Sequence, residues 1–356
     1  MITCHVLVPL PRLKQKKAIV FFSAGLGDAV LLIPLIKQLK NNGYLVTGFF
    51  NSVHPCHEIF ADINLLDEIV VAKNKLNQLT QLGKRFDEAY INYFAASRLN
   101  LLTGVLYAKK VFLNRKIKSI LFSFFAKKIK YIEPIKNIHD AQQNINLLSN
   151  ASKITLQDFY INLNPKKSET VSYPFIAVQI SAGNNKSTYK NWPINYWIDF
   201  LKMLAEQYAD KKIILLGEKN EIEIATKIKN ELDLDIDSRV GKTSISEAMN
   251  IINQSEFFIG LDGGLMHLAV ALKKPTFSLW GPSSITLYGY NTYSPIHKCV
   301  SLNLACSPCS AWLNGNHTKT TSPELCPDHA CMKQLMPQDV FNQFKEYIHI
   351  VATDAA

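Results

Sequence analysis

The sequence lacks long apolar runs and the marks of a secreted protein. No apolar stretch reaches the roughly 20 residues that span a bilayer, because Lys, Asn or Gly interrupts each candidate. The apolar segment 6–10 is shorter than a signal-peptide core, and the basic run 12–17 follows it instead of preceding it. These absences argue against a transmembrane helix and a secretory leader, so a cytoplasmic protein is expected.

The sequence also lacks internal repeats and low-complexity tracts. Its 356 residues exceed the size that one hydrophobic core usually serves, and with 47% hydrophobic residues it can bury two cores. The polar segment 164–174, which has a proline near each end, is the natural linker. We therefore predict two domains, 1–168 and 169–336, and a final helix at 337–356 that packs back toward the first domain.

Strands alternate with helices on both sides of this linker. In the first half, apolar runs predict strands at 17–22, 45–50, 68–71 and 88–91. Helical spacing predicts helices between them at 29–41, 55–60 and 75–83. Pro34 is expected to bend the helix at 29–41. The segment 92–140 has no regular pattern, and the alternation resumes at 175. This order predicts an α/β protein with two doubly wound, Rossmann-like domains that face each other across a cleft.

Acidic residues are missing from the segment 101–132, which holds eight Lys and Arg residues among several Phe. The net charge of +10 lies in the N-terminal half, because residues 1–170 carry about +12 and residues 171–356 about −2. Basic residues mixed with aromatics suit an anionic membrane surface, a phosphorylated acceptor or a nucleic acid. Lysines that serve only as solvated surface residues explain the charge equally well.

The first predicted strand ends in the loop Gly25-Leu-Gly-Asp28. It is not a dinucleotide-binding fingerprint, because Val30 stands where the third glycine is needed. It offers instead the carboxylate of Asp28, at the edge of the sheet where ligands bind, which is suited to act as a general base on a hydroxyl. An Asp that only caps the next helix fits the spacing equally well.

Loops of the second half carry cations and hydroxyls at the corresponding edge. The loop after the strand at 175–180 presents groups that suit a diphosphate, namely Ser181, Lys186, Thr188 and Lys190. After the strand at 212–216, Glu218 or Glu221 is placed to receive ribose or base hydroxyls.

A short turn, Asp262-Gly-Gly264, separates an apolar strand from the next helical segment. Two glycines and a helix N-terminus make this turn a candidate anion site. His267 lies one helical turn further on and is expected to face the same opening. The simpler alternative is that Asp262 only caps the helix.

Four motifs together resemble the heptosyltransferase family of lipopolysaccharide assembly: GLGDAVLLIP at 25–34, KNWP at 190–193, DGGLMHLAVAL at 262–272 and WGP at 280–282. They span most of the chain. The resemblance implies a glycosyltransferase of the GT-B type that inverts the anomeric carbon and uses ADP-heptose as donor. It also implies no obligatory metal at the reaction centre. No nucleic acid partner is expected.

The resemblance assigns roles to particular residues. Asp28 is implied as the base and Lys190 as the diphosphate contact, and the donor-binding loop consists of Asp262, Gly263, Gly264, Leu265 and His267. Gly263 stands where the family often has Ser or Thr, so one hydroxyl contact is missing there. The expected acceptor is an anionic lipid core reached by peripheral contact with the inner membrane. The alternatives are a protein acceptor and a non-catalytic nucleotide-sugar-binding module.

Five of the seven cysteines lie in the segment 299–331. The pairs Cys306–Cys309 and Cys326–Cys331 resemble a tetrahedral thiolate site, and a cytoplasmic protein seldom keeps disulfides. We therefore predict a structural metal there, with buried free thiols as the alternative. Relatives in which such cysteines hold iron make iron a competitor of zinc. The Asp-x-Asp pattern at 233–237 is predicted to lie in a loop or edge strand and to hold no catalytic metal.

Overall fold

The computed structural model describes residues 15–354 except 24, 52–55, 75–78, 81, 84, 118–119, 164–169, 184–187, 233 and 310–325. Two six-stranded sheets organise the described chain. The first contains β1 (Lys17–Phe21), β2 (Leu45–Asn51), β3 (Glu68–Ala72), β4 (Phe86–Ile91), β5 (Ala108–Leu113) and β6 (Ile129–Tyr131). The second contains β7 (Phe175–Gln179), β8 (Lys212–Leu216), β9 (Ile236–Ser238), β10 (Phe258–Leu261), β11 (Thr276–Leu279) and β12 (His297–Val300).

Both sheets are parallel and share one strand order. The first is β3-β2-β1-β4-β5-β6, and the second, read from its β9 edge, is β9-β8-β7-β10-β11-β12. In such sheets the ligand crevice opens beyond the carboxyl ends of the two neighbouring strands between which the strand order reverses. These strands are β1 and β4 in the first sheet and β7 and β10 in the second. The predicted class, two doubly wound Rossmann-like sheets, is confirmed. The domain boundary at 168 stays a prediction, because it falls outside the described residues.

Helices connect the strands and cover the sheets. They are α1 (Leu26–Val30), α2 (Ile33–Asn41), α3 (His57–Ile63), α4 (Arg98–Tyr107), α5 (Asp140–Ile145), α6 (Leu156–Phe159), α7 (Ile194–Gln207), α8 (Ile222–Glu231), α9 (Ile245–Gln254), α10 (Gly264–Ala271), α11 (Ile285–Tyr288), α12 (Ala330–Lys333) and α13 (Pro337–Asp354). Short 3₁₀ turns occupy Ile120–Phe125, Thr188–Lys190 and Lys219–Glu221. Within the described residues, no helix has the length and apolarity needed to cross a bilayer.

The helix predicted at 29–41 is two helices, α1 and α2, separated at Leu31 and Leu32. Pro34 lies in the first turn of α2, where it removes no helical hydrogen bond, so it does not bend a helix. The helix predicted at 75–83 lies largely outside the described residues.

The segment 92–140, which shows no regular sequence pattern, contains α4, β5 and β6. The strand β5 carries exposed Lys109 and Lys110 between buried Ala108 and three further buried residues, and β6 has only three residues at the sheet edge. Neither strand therefore shows the periodicity by which sequence reasoning finds strands.

The C-terminal helix α13 completes the core of the second sheet. Phe344 is fully buried, and its ring lies 5.6 Å from that of Phe257 and 5.2 Å from that of Phe277. Tyr347 packs on Phe277 as well, at 5.5 Å. The expectation that this helix packs back toward the first domain is therefore corrected: its apolar face belongs to the second, because the aromatic side chains there complete a core that the sheet leaves open.

The two halves meet where α1 faces α10. A Cβ at Gly27 would lie 2.8 Å from the ring of His267, and a Cβ at Gly264 would lie 2.6 Å from Cβ of Leu26. Glycine is required at both positions, since any side chain would push the helices apart. The N–H of Ile161 also donates to the carbonyl of Ala271 at 2.8 Å. The loops that follow β1 and β10 therefore stand opposite each other.

Candidate active site

A cavity of about 840 Å³ lies between the halves, beyond the carboxyl ends of β1, β7 and β10. This volume lies within the range of small-molecule sites in proteins. Residues of both halves form its wall. The predicted site residues in the wall are Asp28, Lys190, Glu218, Asp262, Gly263, Gly264, Leu265 and His267.

Asp28 is the carboxylate on the wall of the first half. It lies in the first turn of α1 but makes no capping hydrogen bond, and it accepts one from the Ser23 hydroxyl at 2.8 Å. Burial raises the pKa of Asp28 to about 6, although the Ser23 hydrogen bond and the charge of Lys190 oppose the rise. The group is therefore ionised at neutral pH but more basic than an ordinary Asp, as a general base requires.

An ion pair joins the loop after β7 to the loop after β10. Lys190 Nζ lies 2.6 Å from Asp262 Oδ2, and the two side chains are only 17% and 8% exposed. Burial acts to raise the pKa of Asp262, but the opposing effects, chiefly the charge and hydrogen bond of Lys190, outweigh it, so the pKa lies below its usual value. Asp262 does not cap α10, whose N-cap residue is Gly263. The pair instead holds the lysine ammonium at the cavity wall.

His267 is buried beside this pair. Its Nε2 atom lies 4.0 Å from Asp262 Oδ1, and its Nδ1 atom lies 2.7 Å from the Tyr290 hydroxyl. Burial lowers the pKa of His267 to about 4, although the charge of Asp262 opposes the shift. The imidazole is therefore neutral at pH 7 and acts as a hydrogen-bonding group without a charge.

The N-terminus of α10 opens into the cavity next to Lys190. The N–H groups of the first helical turn have no partner within a helix, and the helix dipole favours negative charge at this end. Gly263 precedes that turn, which begins with Gly264 and Leu265. Lysine, backbone amides and helix dipole together form a region suited to a diphosphate.

Of the remaining residues that the sequence suggested, Glu221 also lines the cavity. Ser181 is 3% exposed, donates to Asn191 Oδ1 at 3.3 Å, and lies behind the cavity wall. Lys186 and the side chain of Thr188 lie outside the described residues. The Glu221 carboxylate accepts the N–H groups of Gly183 at 3.2 Å and Glu218 at 2.8 Å, so it supports the loops. Of the two alternatives, Glu218 is the better placed to receive a ligand.

Sequence reasoning missed several polar residues of the wall, namely Gln179, Thr243, Ser244 and Tyr288. Gln179 ends the strand β7, whose other residues are all apolar, and this one polar residue at a crevice-forming strand end was a usable signal. Ser244 is the N-cap residue of α9 and forms a capping box with Glu247, so its sequence pattern indicates a structural role. Tyr288 lies on the four-residue helix α11, which carries no motif.

The metal site predicted in the cysteine segment stays a prediction. In the part of the chain that the structure describes, no three His, Cys, Asp or Glu side chains are grouped so as to hold a metal ion. Burial, and to a smaller extent the neighbouring Cys309, Cys326 and Cys306, raises the pKa of Cys331 to about 12. The N–H of His329 also donates to Cys326 Sγ at 3.3 Å.

Of the Asp-x-Asp segment, Asp237 lies on the edge strand β9 and Asp235 directly precedes that strand, in keeping with the predicted loop or edge strand, while residue 233 lies outside the described residues. Asp235 pairs with Lys212, and Asp237 accepts hydrogen bonds from Tyr173 and Arg239 at 2.9 Å. Neither carboxylate lines the cavity.

The model of glycosyltransferase family 9 (heptosyltransferase) matches residues 123–318, more than half of the sequence. The chain belongs to this family. It is a glycosyltransferase, as the motifs implied. The lipooligosaccharide heptosyltransferase 2 of Campylobacter jejuni serotype O:2 is 24% identical over 351 residues, which cover 93% of this chain and 98% of that protein.

Solved structures resemble the whole molecule. The Escherichia coli ADP-heptose lipopolysaccharide heptosyltransferase II has a TM-score of 0.70 and 17% identity, with 96% of this chain and 100% of that one covered. The iron-containing dodecameric glycosyltransferase TibC from enterotoxigenic E. coli has a TM-score of 0.60 and 12% identity, with 95% and 80% covered. These likenesses confirm the GT-B fold of this family 9 glycosyltransferase.

Proposed function

We propose that this family 9 glycosyltransferase moves heptose from ADP-heptose to the core of a lipooligosaccharide or lipopolysaccharide. The observation that carries the proposal is the placement of Asp28 on one wall of the cavity, facing Lys190 and the Gly263–Gly264 turn on the other. A base on one side and an anion-binding region on the other match a group transfer between two bound substrates. The names of the relatives supply the sugar, the nucleotide and the acceptor.

The proposed reaction is a single displacement. Asp28 takes the proton of the acceptor hydroxyl as that oxygen attacks C1 of the donor sugar, and the bond from C1 to the diphosphate oxygen breaks. Negative charge grows on the departing ADP, where Lys190 and the amides of Gly264 and Leu265 offset it. Attack from the side opposite the leaving group inverts C1. With this cation and these amides in place, the mechanism needs no metal ion at the reaction centre.

The donor is proposed to lie along the wall of the second half. Its diphosphate meets Lys190 and the N-terminus of α10, while Glu218 accepts ribose hydroxyls. The adenine ring of the donor contacts the apolar side chains of Ile245 and Ala248, which line the same wall.

The acceptor is proposed to approach from the basic half, with the protein in the cytoplasm and in peripheral contact with the inner membrane. Phe124 is 81% exposed on its 3₁₀ turn, and Lys127 and Lys130 beside it are exposed as well. An aromatic side chain among lysines suits the boundary of an anionic membrane. Binding to vesicles with and without anionic lipid measures this contact, and equal binding to both would contradict it.

The four cysteines are proposed to hold a structural zinc or iron ion away from the reaction centre. Four thiolates are a suitable ligand set for either metal, and the Cys-x-x-Cys spacing of Cys306 and Cys309, followed by a second pair, supports the proposal. Elemental analysis of the purified protein should find about one metal ion per chain and less in a Cys306→Ser variant. A metal-free protein of full stability would contradict it.

The test of the function is a panel of nucleotide sugars with and without heptose-free lipopolysaccharide core. ADP release is expected with ADP-heptose and core together, and nuclear magnetic resonance of the product should show an inverted anomeric carbon. Transfer to a protein instead of the core would favour the alternative acceptor. Donor binding without release under any condition would favour a binding module and contradict the proposal.

A further inference from the structure

Gln179 is the last residue of β7, at the point where the strand order of the second sheet reverses. Its side chain lines the cavity and is only 5% exposed. Among the described residues, its Oε1 atom is buried without a hydrogen-bond partner. A buried acceptor without a partner is costly to a fold. At the wall of a ligand cavity, it indicates that the bound ligand supplies the missing donor.

Two glycines of the neighbouring chain segment make room for this side chain. A Cβ at Gly260, on β10, would lie 3.1 Å from Cβ of Gln179. A Cβ at Gly263 would lie 3.1 Å from Nε2 and 3.3 Å from Oε1 of the same residue. The amide thus lies directly against the backbone of the turn that opens α10, and a side chain at 263 would press on it.

The amide is close to the reacting end of the proposed donor. Gly263 follows Asp262, whose carboxylate is paired with Lys190, and the charge of Lys190 in turn acts on the pKa of Asp28. The proposed ribose contact, Glu218, follows the neighbouring strand β8. Gln179 therefore lies beside the turn that faces Asp28.

We propose that Gln179 binds a hydroxyl group of the sugar that is transferred, and so helps to select that sugar. A carboxamide presents one acceptor and one donor group, which match a hydroxyl that both donates and accepts. A phosphate oxygen has no proton to give Oε1 at neutral pH. This inference rests on the proposed function, because it presupposes a nucleotide sugar in the cavity.

The test measures the KM for ADP-heptose and the Kd for ADP in the same Gln179 variants. Gln179→Met keeps the length of the side chain and removes both hydrogen-bonding groups, whereas Gln179→Glu keeps the shape and the acceptor. We expect Gln179→Met to raise the KM for ADP-heptose about tenfold and to leave the Kd for ADP within a factor of about two. Gln207→Met, an exposed glutamine near the end of α7, is the matched control and should change neither.

Gly263→Ala gives an independent measurement, because it displaces the amide without removing it. As a single substitution it should weaken ADP-heptose binding, but when it is added to Gln179→Met it should have little further effect. Equal losses for ADP and ADP-heptose would overturn the inference, since the contact would then be with the nucleotide. An unchanged KM in both Gln179 variants, with thermal melts showing intact folding, would overturn it too.

A failure of the proposed function can be told apart from a failure of the proposed Gln179 contact. If the wild type transfers no heptose, that function falls, and direct titration with ADP, ADP-heptose and ADP-glucose then decides the inference. Tighter binding of an ADP-sugar than of ADP, lost in Gln179→Met, supports it. Equal binding of all three ligands by the wild type contradicts it.

Discussion

Lys190 Nζ lies 2.6 Å from Asp262 Oδ2, and this contact ties together two loops that are 72 residues apart in the sequence. Both side chains are largely buried. The pair places a cation at the cavity wall next to the N-terminus of α10, while the partner carboxylate keeps the cation there before a ligand arrives. Loop geometry and anion binding therefore depend on one interaction.

Removing the lysine should affect both properties. Lys190→Met is expected to lower kcat/KM for ADP-heptose at least about 100-fold, because the charge on the departing ADP loses its cation. It should also lower the free energy of unfolding by about 3 kcal/mol, since the buried carboxylate of Asp262 loses its cation. Kinetics and denaturant unfolding measure the two effects.

The double variant Lys190→Met/Asp262→Asn separates these effects. It should regain most of the lost stability, because the unpaired charge is gone, but none of the lost turnover. A double variant that regains turnover would show that Lys190 does not stabilise the leaving group.

The pH profile should report on Asp28. Its pKa of about 6 lies above the usual value, so the carboxyl is protonated below pH 6 and cannot accept a proton there. We expect kcat/KM to rise with pH and to reach half its plateau near pH 6. The Ser23 hydrogen bond lowers the pKa of Asp28 in the wild type. In Ser23→Ala, this rising limb of the pH profile should therefore move to higher pH. A limb that stays in place in this variant would argue against Asp28 as the titrating base.

The same pKa has a consequence for stability. Folded Asp28 holds its proton more tightly than the unfolded chain, so its favourable contribution is complete below about pH 4 and is lost as the pH rises through about 6. Asp28→Asn cannot ionise and should raise the melting temperature relative to wild type at pH 7 but not at pH 4. Calorimetry at both values checks this, and a variant less stable than wild type at pH 7 would contradict the assigned burial cost.

The contact between α1 and α10 predicts a strict requirement for glycine. Gly264→Ala places a methyl group where Cβ of Leu26 lies 2.6 Å away, so the helices must separate. We expect a loss of about 1–3 kcal/mol in the free energy of unfolding and a large loss of turnover, because Asp28 moves away from the diphosphate region.

Gly83→Ala is the matched control, because a Cβ there meets nothing within 4 Å. It should leave stability and turnover near wild type. If Gly264→Ala behaves like this control, the close packing of the two helices is not needed for function.

The sequence predicts much of this site because its motifs follow strands. Asp28, Lys190 and Asp262 each follow the end of a strand, and a parallel sheet brings the segments beyond its strand ends to one edge. Gln179 escapes this reasoning because it belongs to a buried strand, and only the pairing of β7 with β10 places its amide against Gly263. Tyr288 reaches the cavity from a four-residue helix whose position is set by tertiary packing.

The proposed transfer depends most on Asp28 as its base. The direct measurement is the rate of heptose transfer from ADP-heptose to heptose-free core by Asp28→Asn, together with the Kd of the variant for ADP. We predict a rate at least about 1,000-fold below wild type and an ADP affinity within a factor of about two. A variant that transfers heptose at the wild-type rate would contradict the account.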